Sequence, residues 1–179
     1  MFLDSGENRV YNIYGYFWYF IVPPMFIPTF YGKDTSFMNR RQAREAALCM
    51  IFDYSFHSEG EEGEQLELYL DNFQDKDEKN LSEELRNDEY FTKVYFGVIS
   101  NISELDETIE AHSKKWSSKR ISRVSRSIMR LALYEIKHMD DIPTQVSINE
   151  AVELAKKFDA DDSYTFVNGI LGATVRGEE

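Results

Sequence analysis

This sequence has few of the residues that build disulfide frameworks and metal centres. Its 179 residues include one cysteine, Cys49, so no disulfide can form within the chain, and we expect this thiol to be a small core residue. The three histidines are scattered and do not have the spacing of a zinc-binding helix such as H-E-x-x-H. We therefore expect no metal site.

The motifs of several common enzyme chemistries are also missing. The chain has no G-x-S-x-G nucleophile turn, no G-x-x-x-x-G-K-[ST] phosphate loop and no G-x-G-x-x-G dinucleotide turn. Carboxylates are plentiful, and two of them could still meet across a cleft for acid–base chemistry. The sequence nevertheless predicts a protein that is not an enzyme and that needs no cofactor.

Positive charge is scarce over the chain as a whole. Lysine and arginine number 20 against 32 acidic residues, which gives a net charge of −12. This balance excludes a uniformly basic nucleic-acid binder, because phosphate would be repelled except at a local basic patch or through a basic partner. The N-terminus also lacks the positively charged region of a secretory signal, so we expect a cytoplasmic protein.

The first 37 residues differ in composition from the rest. No charged residue occurs between Arg9 and Lys33, where aromatic residues crowd together and three prolines interrupt the apolar run. A membrane-interface segment, an extension docked on an apolar groove and a stretch upstream of the functional domain all remain open. We expect residues 1–37 to be an extension outside the domain, and residues 38–179 to be a helical domain without membrane contact.

The domain is organised around residues 38–56, MNRRQAREAALCMIFDYSF. Apolar residues recur there with the period of an amphipathic helix, at Ala43, Ala46, Ala47, Met50, Ile51 and Tyr54. The first turn carries Arg40, Arg41 and Arg44, although the helix dipole disfavours cations at that end. Such a cluster suits an anion, above all phosphate, but solvated arginines without a ligand would give the same pattern.

The helical period continues downstream, and no strand-like alternation interrupts it. Residues 66–73 predict a short second helix, and the acidic stretch 74–89 is typical of a solvated connector. Between Tyr90 and Ile109 apolar residues alternate in steps of three and four, which predicts one long helix. Gly97 within it would permit the close approach of a neighbouring element.

The most basic stretch of the chain spans residues 114–130. Its charged side chains at steps of four, three and four are Lys119, Arg123, Arg126 and Arg130. They form either a second contact surface or a solvated outer face that pairs with the acidic connector at little energetic gain.

Two further helices complete the domain. Ser147 and Glu150 stand at capping-box spacing, which predicts a helix start at Ser147. The turn at 159–162 places Asp162 as the N-cap of the last helix, whose buried side includes Phe166. The domain as a whole is predicted to be all-α.

Four motifs then occur in one order along the chain. They are RRQAREAAL at 40–48, RSIMRLALYE at 126–135, DIPxxVxINEAVELAK at 141–156 and FVNGIL at 166–171. Together they resemble the bacterial transcription antitermination factor NusB family, from residue 38 to about residue 175. The resemblance implies a fold of two small helical bundles packed together.

The resemblance also implies a non-enzymatic RNA-binding adaptor. Members of the family pair with ribosomal protein S10, and the heterodimer binds the boxA element of nascent ribosomal transcripts in the RNA polymerase antitermination complex. An acidic body would attract the basic S10, while the arginines would touch RNA. A helical protein–protein adaptor without direct RNA contact is the alternative, and a homodimer is a further expectation.

The resemblance assigns RNA contacts to particular residues. The positions that match the family's RNA surface are Arg40, Arg41, Arg44, Phe52, Phe158, Asp162 and Phe166. Phe158 and Phe166 also fit core positions, and Asp162 also fits an N-cap. Gln42 interrupts a run that is often more basic, which predicts a salt dependence lower by about one charge. Lys119, Arg123 and Arg126 remain candidates for a second basic surface.

Overall fold

Helices account for most of the chain that the structure describes. The computed structural model describes residues 38–57, 60, 62–71, 79–113 and 121–177. The predicted extension 1–37 and Lys119 lie outside these ranges. Within them the helices are α1 (Arg40–Tyr54), α2 (Glu62–Asp71), α3 (Lys79–Asn87), α4 (Glu89–Ser100), α5 (Ile102–Ser113), α6 (Arg123–His138), α7 (Thr144–Phe158) and α8 (Ser163–Arg176). None of these eight helices is long and apolar enough to cross a membrane.

Helix α1 is largely buried. Eleven of its 15 residues are buried, including every member of the predicted apolar stripe. A reciprocal capping box fixes its start, because Asn39 Oδ1 accepts the Gln42 amide at 3.0 Å and Gln42 Oε1 accepts the Asn39 amide at 2.8 Å. Gln42 therefore interrupts the basic run for a structural reason.

The helices form two packed bundles, as the resemblance implies. In the first bundle α1 packs on α2 and α4, and α3 packs on α2 and α4; in the second, α6 packs on α5, α7 and α8. Helix α6 also packs on α1 and α4 and so joins the two bundles. The predicted close approach occurs at Gly97, where an added Cβ would lie 2.1 Å from Cζ of Tyr134.

Two predictions about the middle of the chain are wrong. The expected long helix is two helices, because the backbone leaves helical geometry at Asn101, with φ −113° and ψ 16°. The Asn101 side chain donates to the Gly97 carbonyl at 2.7 Å, and its own carbonyl accepts the Leu105 amide at 3.0 Å. The acidic stretch predicted as a connector contains helix α3.

The predicted capping box at Ser147 is also wrong. Helix α7 begins earlier, at Thr144, with Pro143 as its N-cap. The Pro143 carbonyl accepts the amides of Val146 and Ser147 at 2.8 and 3.3 Å. Ser147 is consequently buried inside the helix, where its side chain cannot act as a cap.

Candidate nucleic-acid interface

Two of the three predicted arginines are exposed at the head of α1. Arg40 and Arg41 occupy the first two helical positions, and no acidic residue shares that turn. The free N–H groups and the positive dipole end of a helix favour an anion at this place. The α1 head, defined here as Arg40 and Arg41, is therefore a cationic site whose charges face solvent.

Arg44 has a different environment, and the structure corrects its predicted role. The residue is only 4% exposed, and its Nε donates to Oε1 of Glu135 at 2.8 Å. A second carboxylate, on Glu150, lies 3.5 Å from Nη1. Burial opposes the charged form, but Tyr90 and Glu135 outweigh it and raise the pKa of Arg44 above its ordinary value. This guanidinium stabilises the core and is not available to a phosphate.

Glu135 is the buried counter-ion that sequence reasoning missed. It is 0% exposed, and its Oε1 also accepts a hydrogen bond from the Tyr90 hydroxyl, while Oε2 has no partner among the described residues. The signal was present in the spacing, because Glu135 stands seven residues after Ile128 and four after Leu131 on the buried stripe of α6. An acid in an apolar stripe indicates a buried partner of opposite charge.

The predicted aromatic contacts lie in the core. Phe52, Phe158 and Phe166 are 7%, 5% and 6% exposed. A ring that is this deeply buried cannot stack on an RNA base without local opening. The core alternative therefore holds for Phe158 and Phe166, and Phe52, for which only an RNA contact was predicted, is also a core residue. The aromatic residue that is exposed on this part of α8 is Tyr164, at 38%.

The ends of α7 and α8 supply polar groups beside the α1 head. Lys156 bonds Glu153 at 2.7 Å, and its Nζ lies 5.6 Å from the centre of the Tyr164 ring. Lys156 lowers the pKa of Glu153, first by its hydrogen bond and then by its charge, and Arg41 adds to the shift. Asp162 is exposed at the N-cap of α8, as predicted, and its side chain makes no capping hydrogen bond. Arg41, Lys156 and Tyr164 thus belong to one region of the surface.

The second predicted basic surface is neutralised in part. Arg130 forms a bidentate pair with Asp106, at 2.8 and 2.7 Å, and Arg126 lies 3.6 Å from Asp106 and 3.5 Å from Glu110. These acids belong to α5, not to the acidic stretch expected to provide them. Arg123 remains exposed, with its guanidinium carbon 4.4 Å from the centre of the Phe56 ring.

A polar cleft of about 470 Å³ lies next to Arg40. Its lining combines both signs of charge with two methionines, and consists of Met38, Arg40, Asp88, Glu89, Tyr90, Lys93, Met139 and Asp141. No group of three metal-ligating side chains occurs among the described residues. The cleft therefore offers hydrogen-bonding groups at the edge of the α1 head.

The fold and site together define an all-helical protein of two packed bundles, with an exposed arginine pair at the start of α1. The NusB family model matches residues 41–176. This chain belongs to the NusB family.

Individual relatives agree with this membership. The chain is 45% identical over 134 residues to the transcription antitermination protein NusB of Agathobacter rectalis, covering 75% of this chain and 97% of that protein. The NusB of Acetivibrio thermocellus is 44% identical over 139 residues, covering 78% of this chain and 90% of that protein.

Solved structures show the same fold. The structure of T. maritima NusB is 34% identical, with a TM-score of 0.60, and the match covers 79% of this chain and 94% of that one. A crystal structure of the antitermination factors NusB and NusE in complex with double-stranded RNA matches at 26% identity and a TM-score of 0.60, covering 77% of this chain and 96% of that one.

Proposed function

We propose that this protein is a transcription antitermination factor that binds the boxA RNA of nascent ribosomal transcripts together with ribosomal protein S10. The α1 head supplies phosphate contacts, and Tyr164 with Lys156 supplies a neighbouring surface for an unstacked base. The functional domain in this proposal comprises residues 38–179. The protein acts in the cytoplasm by binding, without catalysis.

The exposed arginine pair is the observation that carries the proposal. In a chain with a net charge of −12, two solvent-exposed guanidinium groups at a helix N-terminus form a local exception to the negative surface. Guanidinium groups bind phosphate oxygens through two parallel N–H donors, and the helix dipole adds to the attraction. RNA binding can therefore be local although the body is acidic.

The acidic remainder of the surface supports a basic partner. The partner that the resemblance implies, ribosomal protein S10, is a basic protein, and one solved NusB structure contains NusE, which is S10, together with RNA. A negative body attracts such a partner over about a Debye length, 8 to 10 Å in ordinary buffers. The two ligands then use surfaces of opposite charge on one small protein.

The test is fluorescence anisotropy with a labelled boxA RNA and a scrambled RNA of equal length, each with and without S10. We expect S10 to tighten binding of boxA alone, and Arg40→Ala with Arg41→Ala to weaken it by about tenfold or more, because each charged hydrogen bond contributes roughly 1.5 kcal/mol or more. The matched control is Arg86→Ala with Arg176→Ala, which removes the same charge elsewhere. If the two double variants weaken binding equally, the α1 head is not the RNA site.

This experiment also distinguishes the proposal from the alternative, a helical adaptor that binds protein without direct RNA contact. This alternative predicts that S10 binds normally. It also predicts that the anisotropy of the labelled boxA RNA changes no more than that of the scrambled RNA. Retained S10 binding with no preference for boxA would therefore reject the RNA part of the proposal and keep the partner.

A further inference from the structure

The ring of Tyr90 lies close to two arginines of α1. The guanidinium carbon of Arg40 lies 4.5 Å from the ring centre, and that of Arg44 lies 5.4 Å from it. Both distances fall within the range of about 6 Å over which a cation is attracted to an aromatic face. Tyr90 is 4% exposed whereas Arg40 is exposed, so the ring forms the buried floor on which Arg40 rests.

Hydrogen bonds to groups in the core hold the Tyr90 ring in place. The Tyr90 hydroxyl donates to Oε1 of Glu135, the same oxygen that accepts the Nε–H of Arg44 at 2.8 Å. Burial, followed by the charge of Glu135, raises the pKa of Tyr90, so its hydroxyl keeps the proton that it donates. Asp88 caps the first turn of α4 through the Phe91 amide at 2.6 Å, which fixes the backbone around Tyr90.

We propose that Tyr90 is a positioning residue that holds the guanidinium of Arg40 in place at the α1 head for an RNA phosphate. The inference rests on the proposed function and adds a residue that does not itself touch RNA. A guanidinium whose face rests on a ring keeps its in-plane N–H donors available, and it loses less side-chain freedom when a phosphate binds. The buried chain from Glu135 through Tyr90 thus ends at a solvent-facing cation.

The first test is a double-mutant cycle between Tyr90→Leu and Arg40→Ala, measured as boxA affinity in the presence of S10. With Arg40 present, we expect Tyr90→Leu to weaken binding by about three- to fivefold, in keeping with one cation–π contact. In the Arg40→Ala background the same change has no further effect, because nothing is left to position. In an Arg41→Ala background, the matched control, the full three- to fivefold loss remains.

A second readout does not depend on RNA. The Nε–Hε proton of Arg40, assigned by its disappearance in Arg40→Ala, is expected to be shifted upfield by the ring of Tyr90 in the free protein. Tyr90→Leu returns the signal to the position of a solvated arginine. Tyr90→Phe keeps the ring but releases its hydroxyl from Glu135, so the signal moves part of the way and affinity falls by about twofold.

Two results overturn the inference in different ways. If Tyr90→Leu weakens RNA binding equally with and without Arg40, Tyr90 acts only on the fold, and the proposed function stands. If Arg40→Ala itself leaves boxA affinity unchanged, both this inference and the role of Arg40 in the proposed function fail. If Tyr90→Leu does not fold, Arg40→Lys makes the same distinction. The lysine keeps the charge but lacks the flat guanidinium face, so Tyr90→Phe should not change the boxA affinity of the Arg40→Lys variant.

Discussion

The α1 head and the basic face of α6 look alike in sequence but differ in the folded protein. Each contains closely spaced arginines, yet Arg40 and Arg41 face solvent whereas Arg126 and Arg130 pair with Asp106. The difference arises because α5 carries acids opposite α6, while no acid occupies the first turn of α1. Local density of positive charge therefore indicates a nucleic-acid surface only after the facing helix is known.

The largest effect should come from breaking the ion pair beneath the α1 head. Glu135→Ala leaves the buried Arg44 with only the more distant and more exposed carboxylate of Glu150. We expect this change to lower the free energy of unfolding by about 3 kcal/mol or more. Urea unfolding followed by circular dichroism measures the change. Glu67→Ala, which breaks the exposed pair with Arg86, is the control and should cost at most about 1 kcal/mol. Similar losses in both variants would contradict a structural role for the buried pair.

The next largest effect is expected at the exposed aromatic residues, one of which lies near each group of arginines. Tyr164 and Phe56 are 38% and 40% exposed, and each lies under a cation, Lys156 or Arg123. Because base stacking on an aromatic side chain contributes roughly 1 to 3 kcal/mol, Tyr164→Ala should weaken boxA binding by about fivefold or more.

Phe56→Ala is the matched control for Tyr164→Ala. It should change boxA affinity by less than about twofold, since nothing in the proposal places RNA on that face. Anisotropy titrations at one salt concentration compare the two variants directly. A larger loss from Phe56→Ala would move the RNA to the α6 side.

The smallest effect comes from making the α6 face resemble the α1 head. Asp106→Asn removes the carboxylate that Arg126 and Arg130 share, and should free the charge of the partly exposed Arg126. Because Arg130 is buried and loses its bidentate partner, the stability cost should exceed the roughly 1 kcal/mol of an exposed pair. We expect affinity for scrambled RNA to rise by about two- to threefold, with a steeper dependence on salt.

Glu104→Gln provides the control for this charge release. It changes the net charge equally on the same helix but frees a lysine, Lys137, instead of the arginines. An equal rise in scrambled-RNA affinity would mean that net charge matters and that the released arginines do not.

Much of the fold follows from hydrophobic periodicity. The stripe of α1 and the close approach at Gly97 were predicted correctly, because both depend on local residue size and spacing. The break at Asn101 was missed because the helices on either side of it bury the same seam, so the three-four alternation runs through it. The start of α7 was missed because two signals competed, and the proline at 143 determined it instead of Ser147.

The site was less predictable, because residue type does not specify a partner. Arg44 shares its helix turn with exposed arginines, but its counter-ion lies 91 residues further along the chain. The sequence positions of Phe158 and Phe166 were compatible with both a core stripe and an RNA surface. Only their burial in the structure distinguishes the two roles. Tyr164 was not predicted as a site residue, because a single exposed tyrosine produces no periodic pattern in the sequence.

The salt dependence of boxA binding in the presence of S10 tests the central claim most directly. Wild type, Arg40→Ala with Arg41→Ala, and Arg123→Ala with Arg126→Ala would be titrated from low to physiological salt. Each phosphate contact on single-stranded RNA contributes about 0.7 to the slope of log affinity against log salt, so the α1-head variant should lose about 1.4 and the α6 variant almost nothing. Equal losses of slope, or a larger loss for the α6 variant, would contradict the assignment of the RNA site to the head of α1.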